Sequence, residues 1–215
     1  LISLETEEEW PKELMGLSLK NVTLNAYNKK KKLVYSELGE MLFTHFGVSG
    51  PLVLSASSRI ADDPAGARLT IDLKPGLDID ELDRRLVRDF QQNSRKSFQN
   101  ALDGLFPRRM IPVMVQLSGI AADTETNSVT REQRHAFAAL IKCVPVTVKA
   151  AMPIDQAIIT RGGINVKEID PSTMESKLVS NLFFAGEVLD VDAVTGGFNL
   201  QIAWSTGWAA GKAAA

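Results

Sequence analysis

Apolar residues follow two different periods along the chain. In "KNVTLNAY" Val22, Leu24 and Ala26 share one face. In "ARLTIDL" Leu69, Ile71 and Leu73 alternate with Arg68, Thr70 and Asp72. A period of two marks half-buried strands. Between them, "GEMLFTHFGVSGPLVLSASS" is apolar with Gly47, Gly50 and Pro51 at its centre, which predicts a strand, a tight loop, and then a strand or helix. After Pro75-Gly76 the period lengthens. Ile79, Leu82, Leu86 and Phe90 predict an amphipathic helix with Asp78 or Asp80 as N-cap. Phe98, Leu102 and Leu105 predict a second helix, and Pro107 suits the first turn of a third. Thr130 and Gln133 form a capping box for a fourth, with Phe137, Leu140 and Ile141 inward.

Alternation returns in "VPVTVKA", through Val144, Val146 and Val148, and strand character continues into "QAIIT". "NLFFAG" is a short continuous apolar run, as expected of a strand covered on both faces. A last helix spans about 198 to 212, with Ala203, Gly207 and Gly211 on one smooth face. The expected class is therefore α+β, a small sheet or barrel interrupted by a helical lobe. The expected parts are a lead-in over 1–16, a β part over 17–77 and 143–158, a helical lobe over 78–142, and a C-terminal segment over 159–215.

Composition narrows the function. The chain has 215 residues, 45% hydrophobic and 23% charged, with a net charge of −2. That balance suggests neither a nucleic-acid nor a membrane partner. Lys29 to Lys32 in "YNKKKKL" read as a solvated hairpin turn. The single cysteine, Cys143, excludes a disulfide framework, fits a cytoplasmic protein and reads as a small core residue. One cysteine and two histidines make no Cys/His zinc site. The opening "LISLETEEEW" lacks Met, so a piece of a longer protein is expected.

The densest chemistry lies in "AGEVLDVDAVTGGFN", residues 185 to 199. Glu187 follows Gly186 at the end of an apolar run, where a carboxylate can accept hydrogen bonds from sugar hydroxyls. Gly196 and Gly197 admit a ligand ring close to the backbone. The helix that follows aims its first N–H groups and positive dipole end at that ligand. A flavin, whose N1–C2=O edge becomes anionic on reduction, suits such an end; a glycine-rich turn before a helix is the plainer alternative. Glu187, Asp190 and Asp192 also suggest a divalent-metal site. Ser49 and His45 in "THFGVSGP" suggest a hydrolase, but Pro51 stands where a nucleophile elbow needs its second glycine spacing.

The longer stretch from "TRGGINVKEID" through "LFFAGEVLDVDAVTGGFNLQIAWSTGWAAG" resembles the C-terminal FAD-binding segment of the BaiN-like NAD(P)/FAD-dependent oxidoreductases. "GEMLFTHFGVSGPLVLSAS" is similar to a second signature of that family. The resemblance covers essentially the whole chain and corresponds to the second half of a family member. It implies a β-barrel with a helical lobe, inserted in a Rossmann-like FAD domain. It implies FAD as cofactor, NAD(P)H as electron donor and a small-molecule substrate. On this resemblance Glu187 meets the ribityl or ribose hydroxyls. Gly196, Gly197, Phe198, Asn199 and Leu200 flank the isoalloxazine, and Gly163 and Gly186 complete the cofactor-binding set. Thr160 to Gly163 lie near the flavin face.

Two departures limit the transfer. The order of elements also resembles the end of the fumarate reductase and aspartate oxidase flavoproteins, but fumarate reductase relatives carry a His shortly before the Gly-Gly pair, and this chain has Thr160-Arg161. Arg161 is then a candidate to hold an anionic substrate, or pairs with Glu168 or Asp170, and His45 is a candidate proton donor. The G-x-G-x-x-G turn that grips a pyrophosphate is also absent. The expectation is half a cofactor site, completed by an N-terminal half of the FAD domain. Oligomers are expected from the surface left open, and a non-catalytic interaction module is the alternative.

Overall fold

The computed structural model describes residues 1–215. The chain divides into two compact units, one of residues 4–151 and one of residues 1–3 with 152–215.

The first unit is built on a closed antiparallel barrel of six strands: β1 (Leu4–Thr6), β2 (Ser18–Tyr27), β3 (Leu33–Phe43), β4 (Gly47–Ser49), β5 (Arg68–Asp72) and β6 (Val144–Ala151). They run around the barrel in the order β1-β4-β3-β2-β5-β6 and close through β1 and β6. Closure removes the sheet edges that would otherwise offer unpaired backbone groups. Alternation fills the interior: Leu24 and Ala26 of β2, Leu69 and Ile71 of β5, and Val144, Val146 and Val148 of β6 are all fully buried.

One defect in the alternation has a structural cause. Leu19 and Val22 are both buried, although an odd spacing should place them on opposite faces. Leu19 pairs with Met41 and Val22 with Gly39, so Lys20 and Asn21 together oppose Glu40. This is a β-bulge, and Asn21 takes a left-handed φ of 56° to make it. The bulge resets the pleat so that both apolar residues point inward, and it turns Lys20 and Asn21 out to solvent.

Helix α1 (Trp10–Glu13) brings Trp10 edge-on to Phe43, with ring centroids 5.6 Å apart. Helix α2 (Pro51–Arg59) lies on β3 where Gly39 leaves room: a Cβ there would stand 3.0 Å from Leu52 Cδ2. Between the paired strands β5 and β6 the chain makes a helical excursion of α3 (Ile79–Gln92), α4 (Phe98–Ala101), α5 (Ile111–Ser118) and α6 (Arg131–Lys142). Capping boxes start α3, from Asp78 and Glu81, and α6, from Thr130 and Gln133. Phe98 packs edge-on to Phe137 at 5.1 Å and to Phe90 at 6.0 Å. Their core runs without a break into that of the barrel.

Several expectations need correction. Residues 4–6 are no lead-in, because β1 pairs with both β4 and β6. Ile79, the first helical residue of α3, is 45% exposed. Cys143 is exposed, because it ends α6 with its φ at −153° before the inward pattern of β6 resumes at Val144. "QAIIT" forms no strand: β6 stops at Ala151 and a single 3₁₀ turn spans Ile154–Gln156.

The second unit has little regular structure besides α7 (Phe198–Ala214). Its small core is Ile169, Met174 and Leu189, with Ile164, Phe184, Ala209 and Ala210 packed against them. "NLFFAG" is not a strand covered on both faces. It makes a minimal antiparallel contact, Ser176 N–H to Leu182 O at 2.7 Å and Phe184 N–H to Met174 O at 3.0 Å. An extended segment becomes a strand only where neighbours supply a ladder, and here the ladder is a pair of rungs. At Gly207 and Gly211 the small-residue face receives no close backbone: a Cβ on either would meet nothing within 4 Å. No helix is long and apolar enough to cross a membrane.

Two outcomes are expected. A Cβ on Gly47, at φ 152°, would lie 2.6 Å from Leu4 O and 2.8 Å from Thr6 N. Gly47→Ala should therefore break the β1–β4 contact and lower stability by about 2 to 4 kcal/mol, summing overlap and backbone strain; urea unfolding reads this directly. In the helical lobe, Arg134 holds Asp83 by two bonds of 2.7 and 3.2 Å, and this hydrogen bonding keeps the Asp83 pKa below its ordinary value. A lowered folded-state pKa stabilises above the unfolded value of about 3.9 and is lost as pH falls through the folded one. Asp83→Asn should cost about 1 kcal/mol at neutral pH, with the difference from wild type shrinking below about pH 4.

Candidate cofactor site in the C-terminal unit

Backbone contacts gather the glycine-rich segments of the second unit around α7. Gly163 and Ile164 lie alongside residues 188–190 in a short parallel pairing, with Ile164 N–H to Val188 O at 2.8 Å and Asp190 N–H to Ile164 O at 2.9 Å. The approach is so close that a Cβ on Gly163 would stand 2.5 Å from Val188 O. Residues Gly186–Val188 form a 3₁₀ turn seated on α7. The Gly186 N–H donates to Thr206 Oγ1 at 2.9 Å, and the Thr206 hydroxyl in turn donates to the carbonyl of Ile202 at 2.7 Å. A Cβ on Gly186 would come within 3.8 Å of Ala203 Cβ, so the turn rests on the small-residue face at its N-terminal end.

The loop between this turn and the helix is folded back by Asn199. Its side-chain oxygen accepts the Ala193 N–H and its amide donates to the Ala193 carbonyl, both at 2.9 Å. The side chain thus mimics a strand partner for one residue. Gly196 at φ 114° and Gly197 at φ 87° complete the turn into α7. Gly197 is the N-cap and no side chain caps the helix. A Cβ on Gly197 would meet nothing, which leaves open space beside the backbone at the helix start.

These features fit the flavin expectation in kind. A seventeen-residue helix concentrates partial positive charge at an uncapped start flanked by bare backbone. Glu187 is an exposed carboxylate on the adjoining turn, and Phe198 and Leu200 are 55% and 58% exposed. When bound, FAD would supply hydride-transfer chemistry, and Glu187 with the 196–200 backbone would hold it.

The two candidate catalytic residues fall in different units. Arg161 is an exposed residue of the second unit, beside Gly162 and Gly163. His45 belongs to the first unit, exposed between β3 and β4 and edge-on to Phe46 at 5.0 Å. Glu187, Asp190 and Asp192 do not converge: no group of three or more His, Cys, Asp or Glu side chains stands close enough to hold a metal ion. Thr206 was not foreseen from the sequence. Its one signal is a threonine four residues after Ile202 inside an apolar helix, where such side chains bond back to the i−4 carbonyl.

The fold and this loop define a barrel and helical-lobe protein that carries a glycine-rich helix start. Residues 1–159 match the HI0933-like protein barrel and H2TH domain, and the chain belongs to that family. It is 29% identical over 188 residues to a 3-dehydro-bile acid delta(4,6)-reductase of Clostridium scindens, covering 86% of this chain and 46% of the relative. It is 32% identical over 196 residues to a ribosomal RNA dihydrouridine synthase of Haemophilus influenzae, covering 91% and 46%. A ribosomal RNA dihydrouridine synthase of Escherichia coli is 32% identical over 169 residues, covering 79% and 40%. The chain spans about half the length of the curated relatives it matches. The match to a bile acid reductase agrees with the resemblance of the two long motifs to BaiN-like flavoproteins.

The Asn199 clamp is testable without any ligand. Asn199→Ala should speed hydrogen exchange at the Ala193 amide by about tenfold, for the loss of about 1 to 2 kcal/mol of local hydrogen bonding. Unchanged exchange there would show that the loop does not depend on Asn199.

Proposed function

We propose that the chain is the barrel, helical lobe and C-terminal FAD-binding part of a flavin-dependent oxidoreductase, with NAD(P)H as electron donor. The observation that carries this reading is the uncapped start of α7 at Gly197, with open space beside its backbone and Glu187 on the adjoining turn. The relatives' names add the reaction class. A 3-oxo steroid acid with 4,6 double bonds and a uridine both hold a C=C conjugated to a carbonyl, and reduction of either adds a hydride and a proton across it. The cofactor carries that chemistry; the protein binds and orients it. Arg161, in the same unit as the glycine-rich loop, would hold an anionic part of the substrate.

An N-terminal half of the FAD domain would supply the pyrophosphate grip that this chain lacks. The exposed residues of α7 support such a partner. Leu200, Trp204 and Trp208 repeat every four residues along one face and are 58%, 67% and 69% exposed. The same face also supports the second reading, a non-catalytic interaction module.

Absorbance spectra with added FAD separate the two. The chain joined to the further length its relatives carry should show the two bands of bound oxidised flavin, and the chain alone should bind FAD weakly or not at all. Glu187→Ala and Gly197→Leu in the longer protein should each weaken flavin retention by about tenfold or more. Absence of flavin from both proteins would leave the interaction module as the better reading.

A further inference from the structure

Lys12, Lys74 and Lys142 are partly buried, and Lys74 alone among them has no acid. Lys12 bonds Glu9 at 2.7 Å and Lys142 bonds Asp72 at 2.6 Å. The Lys74 ammonium meets only the Phe106 ring, 5.9 Å from its centre, at the outer limit of a cation–π attraction. Its surroundings do not supply the missing acid. Lys74 lines a cleft of about 780 Å³ between the bulge of β2, the turn after β5 and helix α3, and no carboxylate lines it. Asp72 is committed to Lys142 and to the Lys74 backbone N–H at 2.9 Å. Glu40 is exposed and stands opposite Lys20 in the β2–β3 pairing. Glu81 lies in an adjoining depression that shares Leu77 and Arg85.

The cleft instead holds a second cation. Burial and then the charge of Arg85 lower the Lys74 pKa below the ordinary lysine value. Asp89 does not cancel that charge. Arg85 Nε is 3.4 Å from Asp89, a long separation for an ion pair, and Arg88 shares the same carboxylate at 3.3 Å. The two guanidiniums and one carboxylate keep a net positive charge. Arg85 Nη2 donates to the carbonyl of Gly104 at 3.0 Å, which steadies the side chain on this wall. A lysine desolvated beside another cation is more often the free amine, and the free amine is the nucleophile. The cleft leaves room for a small electrophile to reach it, between Arg85 and the apolar Leu38 and Leu77.

We propose that Lys74 is a carbamylation site: its amine takes up carbon dioxide, and the carbamate is held beside Arg85 in the cleft. The Lys74 nitrogen lone pair forms a bond to the carbon of CO₂, and one C=O π pair moves onto oxygen. The nitrogen releases a proton to solvent, so R–NH₂ and CO₂ become R–NH–COO⁻ and H⁺. The charge at Lys74 thereby reverses from that of the ammonium. The positive charge of Arg85, which opposes the ammonium, attracts the carbamate. An acyl group would only remove the lysine charge and gain half of that change. The inference stands apart from the flavin reading, because it uses residues of the first unit and needs no cofactor.

The test equilibrates the full chain with isotopically labelled bicarbonate and CO₂ at neutral pH. Carbamates are then trapped as esters with triethyloxonium, and peptide mass mapping separates Lys74 from the α-amine and the other lysines. Lys74 should carry about tenfold more label than the exposed Lys30 and Lys31. Carbon NMR of the same sample should show a carbamate resonance that Lys74→Arg removes. Arg85→Gln should cut the label at Lys74 by about fivefold or more, whereas Arg85→Lys keeps the charge and should retain most of it. Arg84→Gln, on the same helix, should change it by less than about twofold. Label spread over the lysines by exposure alone would overturn the proposal, and so would equal label at Lys74 in wild type and a folded Arg85→Gln. The wild-type comparison among lysines needs no variant, so it decides even where Arg85→Gln fails to fold.

Discussion

The pairing of β5 with β6 is the constraint on which the first unit depends. Four rungs, from Arg68 with Thr147 to Ile71 with Val144, hold together two segments that bracket the whole helical excursion. An excursion whose ends are fixed side by side must return to where it left, and its helices then pack over that seam. Lys142 marks the return: its ammonium bonds Asp72 and the carbonyls of Lys74 and Leu77, tying the end of α6 to the turn that leads into α3. Because the barrel is closed, neither strand of the seam is an edge.

The bulge at Lys20 and Asn21 links this architecture to charge. It is needed to bring Leu19 and Val22 to the same face, and its cost is two polar residues expelled from the ladder. One of them is Lys20, which lines a cleft together with Lys74 and Arg85. A packing requirement inside the barrel thereby fixes the position of a charged group outside it.

The second unit works by a different principle. With a core of three buried apolar residues, it relies on backbone pairing and on two side chains, Thr206 and Asn199, that substitute for missing secondary-structure partners. Large apolar residues remain outside it, Trp204 and Trp208 among them. The chain matches about half of each longer relative.

Much of this was legible in the residues. Alternation in β2, β5 and β6, the caps at Asp78 and Thr130, and the inward Phe90, Phe98 and Phe137 follow from local period and local hydrogen bonding, which a linear sequence records. The glycine-rich loop could likewise be placed at a helix start. What the sequence could not record is pairing. "QAIIT" and "NLFFAG" have strand composition, but a strand exists only where a neighbour completes its hydrogen bonds. Residues 4–6 look unremarkable and became barrel staves because β4 and β6 stand on either side. Cys143 reads as apolar yet lies outside, since the turn from α6 into β6 decides its direction. The convergence of Lys20, Lys74 and Arg85 depends on three elements meeting at one end of the barrel. Period and capping are set by neighbours within a few residues, so the sequence determined them alone. Closure, exposure and the grouping of charges are set by neighbours distant in the chain, and only the tertiary structure decided those.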